Sequence, residues 1–149
     1  MTRVLFVCHG NICRSPMAEI VFKNIIRENG AEARFSVDSS ATSYEEIGNP
    51  IYPPAKRILK KYDVPFEEHY AKKLYPQDYP KYDLFVVMDE NNMRNIRRIF
   101  TSDGDNKIKK LMDFTPLGGD VADPYYSGDF EKTYEDILVG CKALFDYLK

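Results

Sequence analysis

The chain predicts an α/β fold, a parallel sheet flanked by helices in three layers, on two observations. Val4–Val7 and Leu84–Met88 are short, unbroken, β-prone apolar runs, as expected of strands buried on both faces. Each is followed by apolar residues at helical spacing, and strands alternating with helices fold as parallel sheets joined by right-handed crossovers. Ligands in such folds bind beyond the carboxyl ends of the strands, at the switch point.

The first strand runs into a tight loop, and Ser15-Pro16 reads as the N-cap and first residue of the helix behind it. Ala18, Val21, Phe22 and Ile25 mark the buried face of that helix, with Lys23, Arg27 and Glu28 opposite, until Asn29-Gly30 stops it. Residues 34–38 alternate as a strand, with Phe35 and Val37 facing one way, and lead into a polar stretch from Asp38 to Ser43. Gly48, Pro50, Pro53 and Pro54 punctuate a loop over 44–54, and Ala55, Ile58 and Leu59 define a helix over 54–62. Tyrosines and prolines crowd 70–82 without a period, which predicts irregular structure. The second apolar run stops at Asp89, and a helix over 90–100 turns Met93, Ile96 and Ile99 or Phe100 inward. Residues 108–112 form a shorter strand, and 115–128 a loop. Phe130, Tyr134, Ile137, Cys141, Leu144 and Leu148 then fall on one face of the last helix at steps of four and three.

The loop between the first strand and its helix carries the chemistry. Its backbone N–H groups, turned inward at the positive end of a helix, make a cup for a phosphate-sized oxyanion. Cys8 opens the cup and Arg14 closes it. The surroundings that hold an oxyanion also favour a thiolate, so the loop is suited both to bind a phosphoryl group and to attack it. The planar fork of Arg14 holds two equatorial oxygens of a trigonal-bipyramidal phosphoryl group better than a lysine.

At 149 residues and 44% hydrophobic content the chain is sized for one domain, 1–149, with a core that needs no staples. A net charge of −2 argues against nucleic acid or an anionic membrane as a bulk partner. Cysteines at 8, 13 and 141, an odd number, suggest no disulfide framework and a reducing, cytoplasmic setting. No run approaches the roughly 20 apolar residues of a membrane span, and no export signal is expected. With only His9 and His69, and no Cys-x2-Cys or His-x3-His spacing, neither a metal site nor a cofactor is expected. Cys13 lies close enough to Cys8 along the loop for an oxidative bridge, whereas Cys141 reads as a core residue.

Cys-x5-Arg-Ser, within the longer string Val7 to Glu19, resembles the low-molecular-weight protein tyrosine phosphatases. Val37-Asp38-Ser39, Ala41-Thr42-Ser43, Ile47-Gly48-Asn49-Pro50, Met88-Asp89-Glu90 and Asp123-Pro124-Tyr125-Tyr126 look like the landmarks of that family, in order along essentially the whole chain. The resemblance implies four strands in the order 2-1-3-4 and hydrolysis of phosphotyrosine through a phosphocysteine. Cys8 would be the nucleophile, Arg14 the clamp on the transition state and Asp123 the general acid and base, with Asp120 the nearest substitute. His9, Gly10, Asn11, Ile12, Cys13 and Ser15 would complete the substrate loop, and Tyr125 and Tyr126 would wall a deep slot. Ser15 would also donate to the Cys8 thiolate. Asn11, Ser15, Ser39 and His69 would form a supporting hydrogen-bond network. Asp89 either orients Arg14 or merely ends a strand, and the residue at the pocket rim is either Tyr44 or Glu45. The expected partners are phosphotyrosine-containing proteins, with inorganic phosphate as product and the chain acting as a monomer. Two rivals remain: an arsenate reductase of related fold, which needs two further relay cysteines, and a non-catalytic phosphotyrosine-binding module, which needs neither Cys8 nor Asp123.

Overall fold

A strand buries four consecutive apolar residues only if both of its faces are covered, and the computed structural model, which describes residues 1–149, covers both. Along the chain come β1 (Thr2–Cys8), α1 (Arg14–Glu28), β2 (Phe35–Ala41), α2 (Pro53–Lys61), β3 (Leu84–Val87), α3 (Glu90–Ile99), β4 (Ile108–Lys110), α4 (Pro124–Ser127) and α5 (Phe130–Leu148). The four strands are parallel in the order β2-β1-β3-β4, with Val4 opposite Val37 and Leu84, and Phe85 opposite Ile108. Because successive side chains point to opposite faces, β1 feeds two cores. Val4, Phe6 and Cys8 join Leu84 and Val86 in the larger one, under α1 and α5. Leu5 and Val7 join Phe85 and Val87 in the smaller one, against Ile96 and Phe100.

This topology sets the carboxyl end of β1, between two neighbouring strands, directly before the N-terminus of α1. The first nine residues of α1, Arg14 to Phe22, are all buried, because its polar side at that end faces the site and α5 covers its flank. Close approach also fixes Gly140 on α5, where a Cβ would stand 2.6 Å from Leu111 Cγ.

Several boundaries differ from the sequence expectations. The second strand continues through Ser39 and Ser40 to Ala41, since pairing with all of β1 and side-chain partners for Ser39 satisfy the buried polar groups. The last strand is cut to three residues, after which Leu111–Phe114 coils into a 3₁₀ turn. The 70–82 segment contains a 3₁₀ helix at Pro76–Lys81, and the 115–128 loop contains α4. Ser15 is not the N-cap: α1 starts at Arg14 after Cys13, which makes no side-chain cap, and the Ser15 hydroxyl is engaged elsewhere. No helix is long and apolar enough to cross a membrane.

Candidate active site

Cys8 ends β1, 3% exposed, at the bottom of a cleft of about 240 Å³. Every residue from Cys8 to Arg14 lines that cleft. None of the backbone N–H groups from His9 to Cys13 donates to a protein acceptor, so the loop that lines the cleft carries five consecutive unpaired donors. Ser15 adds its own N–H, 3.4 Å from Cys8 Sγ, and its Oγ stands 3.0 Å from the same sulfur.

The loop holds this shape through Asn11, which is fully buried at φ 59°, in the left-handed region that asparagine tolerates better than most residues. Its Nδ2 donates to Ser15 Oγ at 2.8 Å and Ser39 Oγ at 3.0 Å, and its Oδ1 accepts from the Lys72 backbone N–H at 3.1 Å, with His69 Nε2 at 2.8 Å. Because the Ser15 oxygen accepts from Asn11, its proton is free to point at the sulfur. Ser39 Oγ in turn donates to Glu19 Oε1 at 2.6 Å. The structure thus joins Asn11, Ser15, Ser39 and His69 in one network and adds Glu19. That residue was invisible as a partner in the sequence because an acid four residues before Lys23 on a helix has an ordinary reading as an i,i+4 ion pair.

Arg14 is 3% exposed and reaches two distant segments, at Asp89 and at Val121–Asp123. Its Nη1 donates to Asp89 Oδ2 at 2.6 Å and to the Val121 carbonyl at 2.9 Å, and Nη2 lies 3.4 Å from Asp123 Oδ2. Burial pulls the Arg14 pKa down, but Cys8, Asp89 and Asp123 more than offset it and raise it overall, so the guanidinium stays charged. Asp89 contacts Arg14 and, instead of ending β3, which stops at Val87, caps the next helix. Its Oδ1 caps α3 by accepting from Asn92 N at 2.8 Å while Oδ2 holds Arg14. Asp123 likewise caps α4 through Oδ1, which accepts from Tyr125 N at 3.1 Å, leaving Oδ2 toward the cleft. Asp120 pairs with Lys110 and does not line the cleft.

The mouth is aromatic on one side and acidic on the other. Tyr125 and Tyr126 line it as an edge-to-face pair, but at 66% and 84% exposure they form a rim and not the wall of a deep slot. The inner aromatic is Tyr52, whose backbone N–H donates to the Ile12 carbonyl at 2.8 Å and whose ring lies between Tyr125 and Phe130. Sequence reasoning missed it; its place just before Pro53-Pro54, where a helix must begin, was the available signal. Of the two rim alternatives, Glu45 lines the cleft, 3.0 Å from His9 Nε2, while Tyr44 turns away toward Tyr75 and the Lys73 ammonium. Behind the loop, Glu19, Asp38 and His69 bring one donor atom each within 4.8 Å of one another, a set able to hold a cation. Both carboxylates already pair with lysines, Glu19 with Lys23 and Asp38 with Lys72.

A cysteine sulfur at the end of a central parallel strand, at the base of a loop with five unpaired amide donors and in one cleft with a buried guanidinium, defines a class of site suited to tetrahedral oxyanions. Residues 3–149 match the family described as low molecular weight phosphotyrosine protein phosphatase, and the chain belongs to it. It is 36% identical to the low molecular weight protein-tyrosine-phosphatase YfkJ of Bacillus subtilis, over 97% of this chain and 94% of that protein. It is 38% identical to the low molecular weight phosphotyrosine protein phosphatase of Gallus gallus, over 96% and 93%. The crystal structure of YfkJ superposes with a TM-score of 0.95 over 99% of this chain and 94% of that one, at 35% identity. That of the Streptococcus pyogenes low molecular weight protein tyrosine phosphatase gives 0.90 over 100% and 94%, at 36% identity.

Proposed function

We propose that the chain hydrolyses phosphotyrosine in proteins, and small aryl phosphates, through a phosphocysteine intermediate. The observation that carries this reading is Cys8 Sγ at the base of a loop whose five N–H groups have no protein acceptor, with the Ser15 hydroxyl 3.0 Å from the sulfur, the Arg14 guanidinium lining the same cleft and Asp123 beside it. The Cys8 thiolate attacks phosphorus, and the bond to the tyrosyl oxygen breaks as Asp123 gives that oxygen its proton. Asp123, now a carboxylate, takes a proton from water, whose oxygen attacks phosphorus and releases inorganic phosphate and the Cys8 thiolate. Arg14 and the loop N–H groups stabilise the equatorial oxygens in both steps, and Asp89 holds Arg14 in position. Tyr52, Tyr125 and Tyr126 offer faces for a phenyl ring.

The third cysteine argues against arsenate reduction. Cys141 is fully buried on α5 with its sulfur on the Ala18 carbonyl, remote from any relay. A pure binding module has no use for a positioned acid at Asp123. The deciding experiment is Cys8→Ser with phenyl phosphate: turnover falls below about 1% while inorganic phosphate still binds. Substantial residual turnover overturns the nucleophile assignment.

The same cleft supports a redox response suited to the reducing, cytoplasmic setting we propose. Burial, and then the charge of Cys8, push the Cys13 thiol well up, so it stays protonated. Once hydrogen peroxide has oxidised Cys8 to a sulfenic acid, the Cys13 sulfur attacks that sulfur, its proton leaves with the hydroxyl as water, and a thiol reductant reopens the disulfide so formed. Peptide mapping of peroxide-treated protein should reveal the Cys8–Cys13 bridge.

A further inference from the structure

Lys110 is the only lysine among the buried residues, and it sits at the end of β4, outside the cleft. Its Nζ lies 2.7 Å from Glu90 Oε1 and 2.9 Å from Asp120 Oδ1. Glu90 is the first residue of α3, next to Asp89. Asp120 begins the segment that leads to Asp123, directly after Gly118 and Gly119, both at positive φ. Those glycines and the 97% exposed Leu117 belong to a stretch with little to hold it, whereas the segment from Asp120 onward is pinned. Val121 N donates to the Met88 carbonyl and its own carbonyl accepts from Arg14, both at 2.9 Å. A buried ammonium is costly unless paired. Here the Glu90 hydrogen bond, and after it Asp120, raise the Lys110 pKa against the effect of burial and keep it charged.

We propose that Lys110 is a positioning residue for the reaction: by tying Asp120 to Glu90 it fixes the segment bearing Asp123 to the α3 N-terminus bearing Asp89, and so keeps Asp123 over the cleft beside Arg14. The inference rests on the reading of Asp123 as the general acid. A carboxyl group that must meet a leaving oxygen within hydrogen-bond reach tolerates little displacement, and a misplacement of about 1 Å can cost on the order of 10²-fold in rate. Lys110 spends its charge outside the cleft, where it touches neither substrate nor sulfur.

The test measures single-turnover phosphocysteine formation with phenyl phosphate, whose leaving group needs a proton, and with p-nitrophenyl phosphate, whose leaving group needs it far less. Lys110→Met and Asp120→Asn should each slow the first reaction by about 10-fold and the second by less than about twofold, with the inhibition constant of inorganic phosphate unchanged. Lys110→Arg should restore most of the rate. Asp120→Asn added to Asp123→Ala should change nothing further, because the brace acts through the acid. Asp120 is partly exposed, so its variant reports even where Lys110→Met fails to fold. Equal losses with both substrates, or a full additional loss on top of Asp123→Ala, would overturn the proposal while leaving the acid assignment intact. If Asp123→Ala itself shows no dependence on the leaving group, the acid assignment falls, and the role of Lys110 with it.

Discussion

The loop from Cys8 to Ser15 and the rim made by Glu45, Tyr52, Tyr125 and Tyr126 border one cleft, yet they are built differently. Asn11 and Ser15 have no exposed surface and are locked by hydrogen bonds to β2, α1 and the segment around Lys72, whereas the tyrosines at 125 and 126 lie mostly in solvent. The difference follows from what each must do under the proposed mechanism. Transition-state stabilisation depends on donors that need no rearrangement as charge develops, which demands a rigid, satisfied surround. Contact with the body of a phosphoprotein requires only accessible surface, where single substitutions change little.

Substitutions along this gradient sharpen or break the contrast. Arg14→Lys should show the largest loss after that of the nucleophile, roughly 10²–10³-fold in kcat, because a point charge cannot hold two phosphoryl oxygens and also Asp89 and Val121. Steady-state kinetics near wild type would reduce Arg14 to a diffuse electrostatic role. Asp123→Ala should slow phosphocysteine formation by about 10²-fold or more with phenyl phosphate and much less with an activated aryl phosphate. Parallel plots of rate against leaving-group pKa for the two proteins would leave Asp123 only as the cap of α4. Asn11→Ala should cost roughly 2–4 kcal/mol in urea denaturation, since it strands the Lys72 backbone N–H, removes the closest partner of His69 and places alanine at a left-handed φ. Unchanged stability would mean that the floor is not held by this network. At the rim, Tyr126→Ala and Glu45→Gln should leave kcat for phenyl phosphate within about twofold, shifting kcat/KM only for phosphopeptides. A rim variant that lowers the rate on phenyl phosphate as strongly as Asp123→Ala would erase the distinction.

What could be read in the sequence was whatever local chemistry dictates. The two continuous apolar runs, the helical steps from Phe130 to Leu148 and the loop between Cys8 and Arg14 depend on residues within a few positions of one another, so periodicity and turn chemistry suffice to find them. Resemblance extended this to the strand order and to Asp123. The misread places were those where the closed loop or a distant partner overrides local preference. Ser15 has the composition of a cap, but Asn11 and Cys8 take its hydroxyl, and the polar half of β2 is a strand because β1 pairs with it along its whole length. Only the folded chain decided that Asp89 both caps α3 and holds Arg14 across 75 positions, that Glu19 and Tyr52 join the site, that Glu45 and not Tyr44 meets the cleft, and that Lys110 ties two segments together. Each of these rests on a hydrogen bond, ion pair or close approach whose partner is set by strand order and crossover, and side-chain type alone does not encode which of many equivalent acids, tyrosines or lysines topology will bring within reach.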